Sequence, residues 1–196
     1  MNLPNKLTVF RIILIPVFII VLALNIPGGR VELLGTSIPW AQVLSAVIFI
    51  VASLTDLLDG KIARKYHLVS NFGKFADPLA DKMLVMTAFI FLVELAKVPA
   101  WAVAIIVCRE LAVTGLRLLI VEEDGEVMAA AMPGKIKTTT QMLAIILLLL
   151  NNIGFSALGF PLALIMFYIC VFFTIYSGSD YFIQNRSIFA DSFSKK

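Results

Sequence analysis

The chain has 196 residues, 60% hydrophobic and only 15% charged, with a mean hydropathy of +0.97. A soluble domain carries about 25% charged residues, so the composition excludes a water-soluble globular protein; apolar runs that are continuous rather than alternating favour helices over a membrane barrel. The net charge of +3 reads as basic residues in cytoplasmic loops, not as a nucleic-acid surface.

At about 20 residues per span, the length holds roughly six helices and leaves no room for a large soluble domain. Residues 1–196 are therefore read as a single membrane domain. The opening NLPNKLT starts as a short interfacial segment, and a first span covers about 9–26. Lys6 and Arg11 before an apolar run resemble a signal peptide, but NIPGGR follows with no small-x-small cleavage pattern, so the segment is kept as a span. PGGR at 27–30 makes a turn, and the second span covers about 40–58. A polar link of about 65–76 follows, and Pro78 sits in the first turn of a third helix that reaches about 96.

KVP at 97–99 turns the chain into a fourth helix of about 100–121. EEDGE at 122–126 is a solvated loop before a fifth helix of about 135–151, and the sixth covers about 162–182. The fold class is thus an all-α integral membrane protein with six transmembrane helices. Cys108 and Cys170 both lie in apolar runs and read as buried packing residues, not a disulfide or metal pair. His67 falls on the polar link, and Glu94 and Lys97 fall at the outer interface. Only Arg30 and Lys97 lie opposite the remaining basic residues, so the positive-inside rule puts both termini and the 65–76 and 122–134 loops in the cytoplasm.

One stretch carries chemistry. Asp56, Asp59, Gly60, Ala63 and Arg64 are spaced i, i+3, i+4, i+7, i+8, one face of a helix. Gly73, Asp77 and Asp81, four apart, share a face of the next helix. A short link makes the two helices antiparallel neighbours, so four carboxylates can converge at their cytoplasmic ends. A carboxylate near mid-bilayer costs about 2.5–3.5 kcal/mol, and four together repel one another. A divalent cation removes that repulsion. Oxygen-only ligands suit Mg²⁺, Mn²⁺ or Ca²⁺ rather than zinc, and four acids could hold two ions in a clamp for phosphoryl oxygens. Gly60 and Ala63 leave room for a ligand against the helix backbone, and Gly73 does the same or only serves the turn. The competing readings are helix packing for Gly60, and pairing of Asp56 and Asp59 with Arg64 and Lys61 at a solvated helix end.

The segment DLLDGKIARKYHLVSNFGKFADPLAD resembles the signature of the CDP-alcohol phosphatidyltransferase family. All eight fixed positions match: Asp56, Asp59, Gly60, Ala63, Arg64, Gly73, Asp77 and Asp81. The resemblance implies a CDP-linked lipid substrate, normally CDP-diacylglycerol, and a site with two Mg²⁺ or Mn²⁺ ions held by Asp56, Asp59, Asp77 and Asp81. It also implies Asp81 as the base that takes the acceptor's proton, with Gly60, Ala63 and Gly73 against the cytidine and Arg64 on the diphosphate. A homodimer in the cell membrane, with its site facing the cytoplasm, is the family's usual form.

A second basic group bears on the acceptor alcohol. Arg109 and Arg117 lie eight apart on the fourth helix, and Lys135 and Lys137 open the fifth. They suit an acceptor that carries its own phosphate, although Glu110 competes for Arg109 and part of the charge balances the aspartates. CRELAVTGLR, GKIKTTTQM and NLPNKLTVFR are similar to segments of the bacterial family members that use glycerol-3-phosphate. That resemblance places Asn5, Thr8 and Arg11 near the nucleotide, with snorkelling at the interface as the other reading of Arg11. It implies transfer of a phosphatidyl group to glycerol-3-phosphate with release of CMP. The alternatives are a sibling enzyme that uses inositol phosphate, serine or phosphatidylglycerol, and, remotely, a divalent-cation transporter.

Overall fold

The computed structural model describes residues 3–24, 28–65, 71–122 and 132–186; within these, only the backbone is described for residues 3, 4, 57–65, 71–75, 77, 121 and 122. His67 and residues 123–126 of the acidic loop lie outside the described residues. The described residues form six helices: α1 (Leu3–Ala23), α2 (Trp40–Lys65), α3 (Asn71–Glu94), α4 (Ala100–Glu122), α5 (Met132–Leu149) and α6 (Leu162–Gln184). Between α1 and α2 stands a two-stranded antiparallel hairpin, β1 (Arg30–Leu33) and β2 (Thr36–Pro39). The chain divides into two compact units, residues 1–97 with 145–163 and residues 98–144 with 164–196.

In the first unit α1 packs on α2 and α3. Its buried face is Thr8, Arg11, Ile15 and Phe18, at helical spacing. Ala46, Phe49 and Ala52 of α2, and Ala80, Leu84, Ala88 and Leu92 of α3, are buried in the same way. The small alanine side chains on these buried faces let helix backbones approach closely, as membrane helices do. Phe18 meets Phe91 edge-on, with ring centres 6.2 Å apart.

The hairpin was not expected from the sequence. Its register pairs Arg30 with Pro39 and Leu33 with Thr36, and its two-residue turn holds Leu34 and Gly35 at φ of 49° and 74°. Positive φ at both positions matches the turn twist that two-residue hairpins need. Thr36 and Ile38 point inward, and Arg30 ties the strands by donating from Nε to Ser37 Oγ at 2.8 Å.

The end of α5 is closed by two asparagines in left-handed conformation, Asn151 and Asn152, with φ of 52° and 58°. Asn152 N–H donates to the Leu147 carbonyl at 2.7 Å, a helix-ending motif. Its side chain continues the connection: Nδ2 donates to the Phe160 carbonyl, and Oδ1 accepts from the Ala163 N–H in the first turn of α6.

In the second unit Ala102, Ile106, Val113 and Leu116 of α4 and Phe167, Cys170 and Val171 of α6 are buried. Large apolar side chains also face outward across the molecule, including Ile90, Leu118, Phe172 and Ile183, each at least 60% exposed. Polar faces would be expected there in water. Residues Asn5–Ala23 and Leu162–Gln184 are long and apolar enough to cross a membrane.

Several boundaries differ from the expected ones. Among the described residues the expected interfacial segment is continuous with the first helix: α1 runs unbroken from Leu3 and accepts Pro4 in its first turn. Helix α2 continues to Lys65 and α3 opens at Asn71, so Pro78 lies inside α3 rather than at its start. Helix α5 opens at Met132, three residues before the expected start at Lys135. Cys170 is buried as expected, but Cys108 lies on the exposed face of α4, where an apolar residue can face lipid as well as core. Lys97, expected at the outer interface, is half-buried, and its Nζ donates to Gln42 Oε1 and Asn151 Oδ1.

Candidate active site

Arg11 is the centre of the first unit's polar core. Its side chain is 0% exposed, and its two terminal nitrogens reach two different helices. Nη2 lies 3.2 Å from Asp56 Oδ1 on α2, and Nη1 donates to Asp81 Oδ1 on α3 at 2.5 Å. One guanidinium therefore holds together two of the four signature carboxylates. Both carboxylates keep about a third of their surface exposed, at 32% and 33%. Breaking such a pair by removing one partner strands a buried charge, at a cost of about 3–5 kcal/mol. That cost fixes Arg11 where it is.

Asp59 stands one turn beyond Asp56 on α2, and Asp77 one turn before Asp81 on α3. Their side chains, and those of Ala63 and Arg64, lie outside the described residues, whereas the helical backbone carries Gly60 and Gly73 as expected. Asn5 is half-buried and Thr8 is 0% exposed on the face of α1 that bears Arg11.

The donor set suits a hard divalent cation. The convergent groups are carboxylates, and a cationic guanidinium already sits between two of them. Among the described residues, which do not include the side chains of Asp59 and Asp77, no three His, Cys, Asp or Glu side chains form a cluster.

The second unit holds the expected basic residues, but not as a uniform set. Glu110, almost wholly buried, takes Arg109 Nη1 at 3.1 Å and the Lys137 ammonium in a closer contact. Arg109 also donates from Nη2 to Ser177 Oγ on α6 at 3.0 Å. Its stem lies across Gly178, where a Cβ would come within 2.9 Å of Arg109 Cγ. Arg117 stacks on Tyr181, with its guanidinium carbon 5.5 Å from the ring centre. Nε of Arg109, Nε of Arg117 and the Tyr181 hydroxyl are buried with no hydrogen-bond partner among the described residues. Lys135 is exposed.

The competition of Glu110 for Arg109 was thus correctly anticipated; its hold on Lys137 was not. Ser177, Gly178 and Tyr181 were missed altogether. Their signal is present in TIYSGSDY, where Thr174, Ser177, Gly178 and Tyr181 repeat at i, i+3, i+4, i+7 on an otherwise apolar helix.

Each unit is helical, with apolar side chains facing outward and ion pairs buried within it, and two of the helices are long and apolar enough to cross a membrane. The chain belongs to the CDP-alcohol phosphatidyltransferase family, whose model matches residues 1–176. It is 52% identical over 184 residues to the CDP-diacylglycerol–glycerol-3-phosphate 3-phosphatidyltransferase of Bacillus subtilis, covering 94% of this chain and 95% of that one. It is 40% identical to the protein of that name from Rickettsia bellii, over 96% of this chain and 97% of the other. A probable phosphatidylglycerophosphate synthase of Mycobacterium tuberculosis is 38% identical over 92% of this chain and 79% of its own length.

Proposed function

We propose that this protein transfers the phosphatidyl group of CDP-diacylglycerol to glycerol-3-phosphate, giving phosphatidylglycerophosphate and CMP. The observation that carries the reading is the 52% identity, along 94% of the chain, to a relative named for that reaction. The eight-position signature and the pairing of Asp56 with Asp81 through Arg11 support it.

In this reading Asp56, Asp59, Asp77 and Asp81 hold two Mg²⁺ or Mn²⁺ ions. The metals would neutralise the diphosphate and stabilise the leaving phosphate. Asp81 accepts the proton of the acceptor hydroxyl. The acceptor oxygen bonds to the phosphorus that carries the diacylglycerol, the bond from that phosphorus to the bridging oxygen breaks, and CMP leaves with the electron pair. Asn5, Thr8, Gly60, Ala63 and Gly73 border the cytidine, and Arg64 holds the diphosphate. Arg109, Arg117, Lys135 and Lys137 take the phosphate of the acceptor, with arginine suited to paired contacts and lysine to a point contact.

The same reading gives six transmembrane helices in the cell membrane, a site facing the cytoplasm, membrane lipids as surroundings and a homodimer. The excess of basic residues on one side of the spans supports that orientation. The testing experiment offers purified protein, Mg²⁺ and CDP-diacylglycerol a choice of labelled acceptors. Label in lipid from glycerol-3-phosphate alone is the expected outcome. Label from inositol phosphate, serine or phosphatidylglycerol instead would assign the chain to a sibling reaction.

A further inference from the structure

We propose that Arg11 is a positioning residue for the carboxylate site and an internal competitor for divalent metal, setting both the approach of Asp56 to Asp81 and the strength of metal binding. The proposal rests on the reading of these two aspartates as metal ligands.

The geometry is that of a fork. Two nitrogens of one rigid guanidinium meet one oxygen each from α2 and α3, at 3.2 and 2.5 Å. Lysine would have to serve both oxygens from one nitrogen on a flexible stem, without the fixed separation and planar orientation of the guanidinium fork. Complete burial matters equally. An exposed arginine could swing into water when another cation arrives, but a side chain at 0% exposure has no solvent to retreat to. Its charge stays beside the oxygens that would ligate the metal, and like charges at this distance repel strongly in a partly dry site. Arg11 therefore does two opposing things. It draws two mutually repelling carboxylates together, and it weakens their hold on any metal they share. Its place on α1, one turn from the buried Thr8, also ties the first helix to the carboxylate pair.

The test is a Mn²⁺ titration of detergent-solubilised protein followed by electron paramagnetic resonance, alongside steady-state kinetics. Arg11→Gln removes the charge; its Mn²⁺ Kd should fall at least tenfold, while kcat at saturating metal drops at least tenfold with both KM values held within about threefold. Arg11→Lys keeps the charge and loses the fork; its Mn²⁺ Kd should stay within about threefold of the parent while kcat drops as before. Arg11→Gln with unchanged or weaker Mn²⁺ binding overturns the proposal. So does a variant that only melts earlier, with the parent's kcat and metal affinity. Should Arg11→Gln fail to fold, Arg11→Lys decides alone, and a parental kcat refutes the fork. Asp56→Asn serves as the control for the underlying reading. If it binds Mn²⁺ like the parent, the metal assignment fails and the proposal falls with it; if it binds weakly while Arg11→Gln does not bind more tightly, only the proposal fails.

Discussion

Lys97 Nζ donates to the Leu148 carbonyl at 2.5 Å, so a charged amine from the turn after α3 closes the end of α5. The same nitrogen donates to Asn151 Oδ1 and to Gln42 Oε1, each at 2.7 Å. The backbone aims it there: Ala96 adopts a φ of 53°, and Lys97 N–H donates to the Leu92 carbonyl at 2.9 Å in a helix-ending motif. Lys97→Met would leave three acceptors short of a donor. It should destabilise the protein by about 1–3 kcal/mol, read as a melting temperature several degrees lower in detergent. An unchanged melting temperature would contradict the role given to Lys97.

The same residue gives a pH signature. Burial draws the Lys97 ammonium down from 10.5 to about 8. Between those values the unfolded chain holds more protons than the folded one, so stability rises as pH rises through the window. The melting temperature of the parent should therefore increase relative to Lys97→Met between about pH 7.5 and about pH 10. A constant difference between the two proteins would show that Lys97 does not titrate in that range.

Gly178 is a probe of Arg109. An alanine Cβ at that position would stand 2.9 Å from Arg109 Cγ, in the stem rather than the mobile end of the side chain. Gly178→Ala should displace Arg109 from Ser177 and raise KM for glycerol-3-phosphate about tenfold, with KM for CDP-diacylglycerol unchanged. If both KM values stay put, Arg109 does not serve the acceptor.

Glu110 lies between Arg109 and Lys137 and should behave as a structural hinge-pin of this basic group. Glu110→Gln leaves two largely buried cations without their counter-charge, and should cost about 3–5 kcal/mol of stability. Glu110→Gln combined with Lys137→Met should recover part of the loss, because the second change removes one of the two buried cations that the first leaves unpaired. Additive losses in melting temperature would contradict a direct pairing.

Asp81→Asn tests the base. It should abolish turnover while CDP-lipid binding, measured as protection from thermal unfolding, survives. Equal loss of both would argue that Asp81 serves binding rather than proton transfer.

The approach of Asp56 to Asp81 was legible because helical spacing sets each beside a second acid on neighbouring helices, and because carboxylates next to long apolar runs need a reason. The role of Arg11 was not legible, since its partners stand far away in sequence and a terminal arginine before an apolar run also reads as an interfacial anchor. The hairpin escaped for a local reason: its turn uses Leu34 at positive φ, where a sequence reading looks for asparagine or aspartate before glycine. Pro78 misplaced the start of α3 because proline favours a first turn, while this helix tolerates it inside. The six apolar runs correspond to the six helices of the described residues, since each run is longer than a strand and lies between turn residues.

The most direct test of the account measures both products of one reaction. Purified protein with Mg²⁺, CDP-diacylglycerol and labelled glycerol-3-phosphate should release CMP and incorporate label into lipid in equal amounts, and Asp56→Asn should stop both together. CMP release without lipid label, or lipid label that persists in Asp56→Asn, would contradict it.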